Sequence, residues 1–382
     1  MKAFLLKFLI GVLILFSFAS CMQKDPSAGK NGIVQNPVYG EWQDRDQPPI
    51  RFELEQTYGS EEDGEEFMFS ASHGIVGPVA DSSGNIYLLD RERSKLLSFD
   101  REGNLRWQTG KEGRGPGDFL LPNGIVIRKE YLFLDNLYGT RIDQYDLKGN
   151  FITSMLLPSD GIRSAQVKGL LDNGLLVTSS PLFGAAGSRI SILDVSDSLS
   201  LVNQFDVKVL QDLNISSGTS ITFNISVVDS LIASGNFGKY AMKFYNMKGE
   251  RVKTITRDFS KLVRPGTFNN GSVRASRLFG GLNAPIKLSQ QYFITTINWP
   301  INIDNPDEYV RKSVNGSAPD VQFAFSLDLY RHDGALLYSL EKMTQPGLTI
   351  GDITYVNSKG NIYTRISEPY PQVRRYRIII DG

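Results

Sequence analysis

The feature that most constrains the fold is a short pattern that recurs along the chain. In each copy an aromatic or aliphatic residue stands three positions after a Leu, Ile, Val or Met, and in the four strongest copies a Gly follows four positions later. The spacings between successive copies are 46, 48, 52, 85 and 46 residues. The anchors of the six copies are Phe99, Tyr145, Leu193, Tyr245, Tyr330 and Tyr376.

The residues around the first anchor predict what one repeat unit looks like. Asn85–Asp90, Lys95–Asp100 and Asn104–Thr109 have the composition of short strands and are separated by polar or Gly-containing turns. A fourth apolar segment, Gly124–Ile127, opens the next unit. Four strands per unit and a period in the forties are typical of a β-propeller. We therefore predict an all-β, six-bladed β-propeller of four-stranded antiparallel blades, in which the 85-residue interval is one blade with a long insertion at Pro300–Val321.

The two ends of the repeat region predict how the ring closes. Ile50–Tyr58 alternates apolar and charged residues like a half-buried strand, but no blade precedes it. The last copy supplies only three strands, within residues 351–380. We expect the N-terminal strand to pair outside these three and close the last blade, which leaves no sheet edge open.

The first twenty residues resemble a lipoprotein signal peptide. Lys2 and Lys7 precede the apolar run Phe8–Phe18, which is too short to span a bilayer. Small residues then lead to Cys21, the only cysteine of the chain. We predict a signal peptide at residues 1–20, a lipidated Cys21 with a mobile tether to residue 49, and the propeller at residues 50–382. The N-terminal lipid would attach the protein to the outer membrane, facing either the periplasm or the cell surface.

Composition narrows the range of functions. The chain has 41 basic and 41 acidic side chains, so its charge gives no support to nucleic-acid binding. A single cysteine cannot form an internal disulfide, and two histidines cannot build a three-histidine zinc centre. The nucleophile-elbow motif of serine hydrolases is absent from the sequence.

At this point the residues carry a family resemblance. The segments Gly84–Asp90, Leu96–Gly103 and Gly110–Pro122 together resemble the six-bladed β-propeller lipoproteins of Bacteroidetes, relatives of NHL-repeat and TolB-type propellers. The most specific element is Gly113–Phe119, which reads GRGPGDF. The resemblance implies an exported, lipid-anchored propeller and does not specify a ligand or a reaction.

The repeat predicts which loops share a face. In a four-stranded blade, the loop between the second and third strands lies on the same side as the link to the next blade. The insertion at Pro300–Val321, the acidic loop from Gly59 to Glu66 and the Gly113–Phe119 loop should therefore lie on one face. Loops on a rigid scaffold often carry function.

Two sets of residues are candidates for a site on that face. Asp90, Asp135 and Asn136 end second strands and are candidate calcium ligands, although Asp at such positions more often binds backbone N–H groups of a turn. Arginine and aromatic side chains could bind an anion or stack on a sugar. These ligand candidates are Arg91, Arg93, Arg114, Tyr138, Arg141, Arg163, Trp299, Arg365 and Tyr370.

Two functional hypotheses follow. The preferred one is a non-enzymatic binding module that presents its loop face to a peptide, a glycan or an envelope protein and needs no cofactor. The alternative is a calcium-dependent lactonase or esterase of the gluconolactonase type, which would require carboxylates from at least three blades around one ion.

Overall fold

The computed structural model describes residues 32–59, 68–70, 74–158, 164–182, 187–208, 214–215, 224–263, 272–273, 280–314, 317–341, 344–345, 348–349 and 352–382. Cys21 and the predicted signal peptide lie outside these residues, as does most of the acidic loop. Within the described ranges, no helix has the length and apolar character needed to cross a membrane.

Strands account for almost all of the regular structure. In the first half of the chain the strands are β1 (Ile33–Asn36), β2 (Ile50–Tyr58), β3 (Ile75–Ala80), β4 (Ile86–Asp90), β5 (Lys95–Phe99), β6 (Leu105–Thr109), β7 (Ile125–Arg128), β8 (Tyr131–Asn136), β9 (Arg141–Asp146), β10 (Phe151–Leu156), β11 (Gln166–Leu170), β12 (Leu176–Pro181), β13 (Gly187–Asp194), β14 (Ser200–Lys208) and β15 (Asn214–Ile215). In the second half they are β16 (Ile225–Val228), β17 (Leu231–Ser234), β18 (Ala241–Tyr245), β19 (Arg251–Arg257), β20 (Ser272–Val273), β21 (Gly281–Leu282), β22 (Ile286–Lys287), β23 (Tyr292–Pro300), β24 (Phe323–Arg331), β25 (Leu336–Glu341), β26 (Thr344–Gln345), β27 (Leu348–Thr349), β28 (Asp352–Val356), β29 (Asn361–Ile366) and β30 (Gln372–Ile380).

Six antiparallel sheets form the blades of a ring, which confirms the predicted six-bladed β-propeller. The first strands of successive blades contact one another in the order β3, β7, β11, β16, β22, β28 and back to β3, so they surround the axis. From inside to outside, the blades are β3–β6, β7–β10, β11–β14, β16–β19, β21 or β22 with β23–β25, and β28–β30 followed by β2.

The ring closes as predicted. Strand β2 pairs antiparallel with β30, in a register that joins Ile50 to Ile380 and Tyr58 to Val373. The last blade therefore combines three strands from the C-terminal end with one from the N-terminal part. Because this pairing joins distant parts of the chain, every blade has a full complement of strands.

The repeated anchors are buried between blades. Tyr145 is 1% exposed and stacks on Phe119 with ring centroids 5.8 Å apart, and Tyr330 is fully buried and stacks on Phe293 at 5.1 Å. The Gly four residues after an anchor ends the turn between the third and fourth strands. Gly149 has φ +86° and Gly334 has φ +105°, values that residues with a Cβ rarely adopt. The pattern thus records one core position in every blade and a turn glycine in four of the six.

The prediction of a mobile tether up to residue 49 is wrong for residues 32–49. Residues 32–49 pack on the outside of the ring, and β1 adds to β19 as a parallel fifth strand. Farther on, the Trp42 backbone N–H donates to the Leu337 carbonyl at 2.8 Å. The composition of this segment did not predict its structure, because its backbone groups bond to distant strands and not to neighbouring residues.

The insertion of the fifth blade contains a helix that the sequence interpretation missed. This helix, α1, spans Pro306–Val314. The Asn305 side chain accepts hydrogen bonds from the backbone N–H groups of Asp307 and Glu308, both at 3.1 Å, and so caps the helix start. Tyr309 and Val310 are buried in a small apolar cluster with Ile303. At nine residues the helix is too short for a clear periodic pattern.

The two ends of the ring differ in their connections. We call the end that carries the loops between second and third strands, together with the links between blades, the loop face. We call the opposite end, with the turns between first and second and between third and fourth strands, the turn face. The loop between β4 and β5, the Gly113–Phe119 loop and the insertion with α1 all belong to the loop face, since strand direction alternates through each blade.

Candidate functional site

At the loop face, charged side chains at or just after the ends of second strands reach the beginning of the first strand of the next blade. An Arg91 Nη1 donates to Asn123 Oδ1 at 2.8 Å, and an Arg365 Nη1 donates to the Ile75 carbonyl at 2.9 Å. Asp135 Oδ2 accepts from the Val167 N–H at 2.8 Å. Three neighbouring blade junctions are therefore joined by polar contacts next to the axis.

The register of the strands corrects one detail of the predicted calcium site. Asp90 pairs with Ile75, whereas the corresponding Ile125 of the next blade pairs with Leu134. Asp135 therefore corresponds to Arg91 and not to Asp90. Side chains of adjacent strand residues point to opposite sides of the sheet, so Asp90 and Asp135 are not equivalent positions as the sequence suggested.

Two arginines bond to adjacent residues at the junction of the last blade with the first: the Arg91 backbone N–H donates to the Gly74 carbonyl at 3.0 Å, and Arg365 reaches the Ile75 carbonyl. Burial lowers the pKa of Arg365, and the positive charge of Arg91 adds to this lowering. Asp352, the cross-strand partner of Arg365, acts in the opposite direction. Arg365 Nε is buried and has no hydrogen-bond partner in the described part of the chain. This junction thus holds more positive than negative charge.

A lysine on the first strand of the third blade extends this polar region. Lys168 Nζ donates to Gln166 Oε1 at 2.9 Å. Burial lowers the pKa of Lys168, and Asp135 opposes that change. Burial also raises the pKa of Asp135 to about 7, even though the carboxylate accepts backbone hydrogen bonds from Asn123 and Val167. Both groups are therefore held in surroundings that disfavour their charged forms.

We call the polar side chains at the loop-face end of the axis the mouth cluster. Five are half-buried and Asp352 is exposed. Sequence interpretation found two of them and did not single out the other four, which lie on or just before first strands. The repeated Gly-Ile-Val that follows both His73 and Asn123, and the Lys in Gln166–Leu170, were signals that could have drawn attention to these positions. The mouth cluster consists of Arg91, Asn123, Gln166, Lys168, Asp352 and Arg365.

Arg141, one of the predicted ligand-binding residues, is buried and bonds to groups of the protein itself. Its side chain is 7% exposed, and its Nε lies 2.9 Å from Asp143 Oδ1. Its terminal nitrogens donate to the carbonyls of Arg114 at 3.0 Å, Gly115 at 3.1 Å and Asp118 at 2.9 Å. These hydrogen bonds direct Arg141 at the Gly113–Phe119 loop and Asp143, so the structure does not present Arg141 to a ligand as predicted.

Trp299 is likewise buried, at 6% exposure, and packs edge-on against Phe259 with ring centroids 5.3 Å apart. Lys261 Nζ lies 4.9 Å from the centre of the Trp299 ring, which adds a cation–π contact. This tryptophan therefore belongs to the core between the fourth and fifth blades rather than to an open surface.

The other ligand candidates are spread over the loop face. Arg93 is exposed and donates to the Met68 carbonyl at 2.6 Å. This hydrogen bond holds the segment that connects the last blade to the first. Arg114 and Tyr138 are exposed, and Tyr370 is half-buried. Arg163 lies outside the described residues. The structure thus brings together Arg91 and Arg365 from the predicted set.

The predicted calcium ligands bind backbone groups of the loop face. Asp90 accepts from the N–H groups of Ser70 at 3.0 Å and Arg93 at 3.2 Å. Asn136 accepts from the Leu120 N–H at 2.7 Å and donates to the Asp118 carbonyl at 2.8 Å. Over the described ranges, no group of three or more His, Cys, Asp or Glu side chains is placed to hold a metal ion.

Comparison with known proteins supports the fold. Residues 70–169 match the model of a family described as a 6-bladed beta-propeller, DUF5128. A protein of Bacteroides fragilis described as exported has 12% sequence identity and a TM-score of 0.55, over 91% of this chain and 99% of its own. No curated protein matches the sequence significantly.

Two further solved structures are similar. A member of the DUF4221 family from Bacteroides vulgatus has 11% identity and a TM-score of 0.49, over 86% of this chain and 98% of its own. Virginiamycin B lyase from Staphylococcus aureus has 10% identity and a TM-score of 0.44, over 85% and 99%. At such identities the likeness concerns the fold alone. The resemblance predicted from the first two blades is confirmed: the chain is a six-bladed β-propeller similar to propellers of Bacteroides.

Proposed function

We propose that this protein is an exported, lipid-anchored binding module that takes a carboxylate-bearing ligand at the mouth cluster. The observation that carries the proposal is that Arg91 and Arg365, from different blades, both bond to the start of one first strand at the end of the axis. The Arg91 N–H donates to the Gly74 carbonyl at 3.0 Å, and Arg365 Nη1 donates to the Ile75 carbonyl at 2.9 Å. Asp352 is the acidic side chain beside these two arginines, so the junction keeps net positive charge. Guanidinium groups suit the planar, two-oxygen geometry of a carboxylate.

The remaining members of the cluster suit the rest of such a ligand. Asn123 and Gln166 carry amide groups that can donate and accept, and Asp352 is an exposed acceptor. This combination is suited to the hydroxyl groups of an acidic sugar or to the backbone of an acidic peptide. The rigid first strands fix the positions of these side chains, so little order has to be gained on binding.

The proposal also specifies where the protein lies in the cell. Acyl chains on Cys21 would attach the protein to the outer membrane, facing the periplasm or the surface. The description of the Bacteroides fragilis propeller as an exported protein is in agreement with this placement. The ligand would then be an envelope peptide or protein, or a glycan of the same compartment.

The test is calorimetric titration of the purified chain from residue 22 with three probes: an oligogalacturonate, a peptide rich in Glu, and the neutral maltohexaose. We expect one of the two acidic probes to bind and the neutral sugar not to bind. Arg91→Gln should raise the Kd at least about tenfold, as expected when a charged hydrogen bond is lost. Increasing the salt concentration should weaken binding further.

The matched control is Arg251→Gln, which removes an exposed arginine from the outer strand of the fourth blade. It should leave the Kd unchanged. Equal affinity for the neutral and acidic sugars, or equal effects of the two substitutions, would refute the proposed site.

A further inference from the structure

The N-terminal segment before the propeller is fixed to the outside of the ring. The buried Asn36 side chain donates to the carbonyls of Thr256 at 3.1 Å and Gly334 at 3.0 Å. It also accepts from the Leu336 N–H at 2.7 Å. The segment is thus bonded to the fourth and fifth blades at once, and its position on the ring is defined by side-chain as well as strand contacts.

The direction of β1 shows on which side the chain reaches the ring. Strand β19 starts at the turn face, after the turn that follows Tyr245, and runs towards the loop face. Strand β1 is parallel to it, with Ile33 beside Thr254 and Asn36 beside Arg257. The Gly32 carbonyl accepts from the Thr254 N–H at 2.8 Å. The chain therefore joins the rim of the fourth blade from the turn-face side.

Only a short stretch separates this point from the proposed lipid. Eleven peptide steps lie between Cys21 and Gly32. A fully extended chain of that length reaches at most about 40 Å, and a flexible one spans about 18 Å on average. A strand of five to nine residues is itself about 17–30 Å long. A typical span of this stretch is therefore no longer than the height of the ring.

We propose that the turn face of the propeller is turned towards the membrane and that the loop face, with the mouth cluster, points away from it. This inference rests on the proposed lipidation of Cys21 and deepens the proposed function. The mouth cluster would then collect ligands from the aqueous compartment and not from the bilayer surface to which the protein is attached.

The experiment uses the full lipoprotein, purified from membranes and reconstituted into vesicles of phosphatidylethanolamine and phosphatidylglycerol that contain a rhodamine-labelled lipid. Cys21 is the only cysteine, and in the lipoprotein its sulfur would form a thioether to the lipid and could not react with a maleimide, so an introduced cysteine can be labelled alone with a donor dye. Three exposed positions are suitable. They are Lys248 on the turn face of the fourth blade, Ser83 on the turn face of the first, and Arg114 on the loop face.

We expect energy transfer to the membrane to be strongest for Lys248→Cys, weaker for Ser83→Cys and weakest for Arg114→Cys. Inserting twenty Gly and Ser residues after position 28 should reduce these differences, because the longer connection no longer restricts the orientation. Transfer from Arg114→Cys that equals or exceeds that from Ser83→Cys would overturn the inference.

Mass spectrometry of the same preparation separates the two proposals. Absence of acyl chains on Cys21 would overturn both the lipid anchor and the orientation, whereas ligand binding by the chain from residue 22 is measured independently of the lipid. An acylated protein with equal transfer from all three positions would overturn the orientation alone.

Discussion

At the residue scale, buried charged side chains connect loops of the propeller to its strands. In the second blade Asp143 is fully buried and bonds Arg141, Asn136 and Ser154. In the fifth blade Asp328 holds the corresponding position. It bonds Arg257 at 2.8 Å and Ser339 at 2.6 Å. Such networks are costly to break because the remaining partner is left charged in the interior.

Replacement of Arg141 tests this role. Arg141→Met should lower the free energy of unfolding by about 3–5 kcal/mol, since Asp143 loses its buried cation. Three loop carbonyls lose their donors at the same time. Denaturant unfolding measures the change. Arg114→Gln, an exposed change in the same loop, should stay within about 0.5 kcal/mol. Similar losses for both variants would show that Arg141 contributes no more than a surface arginine.

The raised pKa of Asp135 predicts a dependence of stability on pH. With a pKa of about 7 in the folded chain and about 4 in the unfolded chain, the native state binds more protons between these values. The stabilisation that Asp135 contributes is therefore complete below about pH 4 and is lost as the pH rises through about 7. Asp135→Asn removes the titration. The Tm of wild type relative to that variant should fall between pH 4 and pH 8, and a constant difference would contradict the shift.

At the element scale, local sequence signals predicted the blade strands and their turns but not strand β1 or helix α1. The turn after β5 could be predicted because Gly103, with φ +94°, stands in a sequence typical of such turns. Strand β1 could not be predicted from local sequence, because its four residues pair with β19, which lies more than 200 positions away in the chain. Helix α1 likewise depends on the apolar contacts of Tyr309 and Val310, because a nine-residue helix is marginal alone.

The cap of α1 gives a test at this scale. Asn305→Ala should cost the helix about 1 kcal/mol, because two N–H groups of the first turn lose their acceptor. Hydrogen exchange at the amides of Tyr309 and Val310 should then accelerate about fivefold. Asn305→Asp keeps the acceptor and should preserve protection. Equal exchange in the Ala and Asp variants would argue against the cap.

At the scale of the whole molecule, closure of the ring depends on one strand. β2 supplies the outer strand of the last blade, and Arg375 of that blade donates to Tyr58 at 2.9 Å and to the Arg101 carbonyl at 3.1 Å. Tyr58 itself is 1% exposed. Removal of β2 would therefore expose a strand edge and also weaken the contact between the last blade and the first.

Two truncations test the importance of closure. A chain that starts at residue 32 keeps β1 and β2 and should fold as a monomer with a cooperative thermal transition. A chain that starts at residue 59 lacks both strands and should aggregate or melt at a much lower temperature. Circular dichroism and size-exclusion chromatography distinguish these states. A cooperative, monomeric product from the shorter chain would show that closure by β2 is dispensable.

The sequence by itself determined the number of blades and the strand-turn pattern, because each unit repeats one core residue and four of the six also repeat a turn glycine. It determined the closure of the ring because the last unit supplies only three strands and Ile50–Tyr58 supplies a fourth. It also predicted Arg91 and Arg365 as loop-face residues. Only the tertiary structure decided that Arg141 and Trp299 are internal, that residues 32–49 are bound to the ring, and that Asn123, Gln166 and Lys168 join the site. The physical reason is that these outcomes depend on contacts between segments far apart in the chain, whereas the repeat pattern records positions that recur along it.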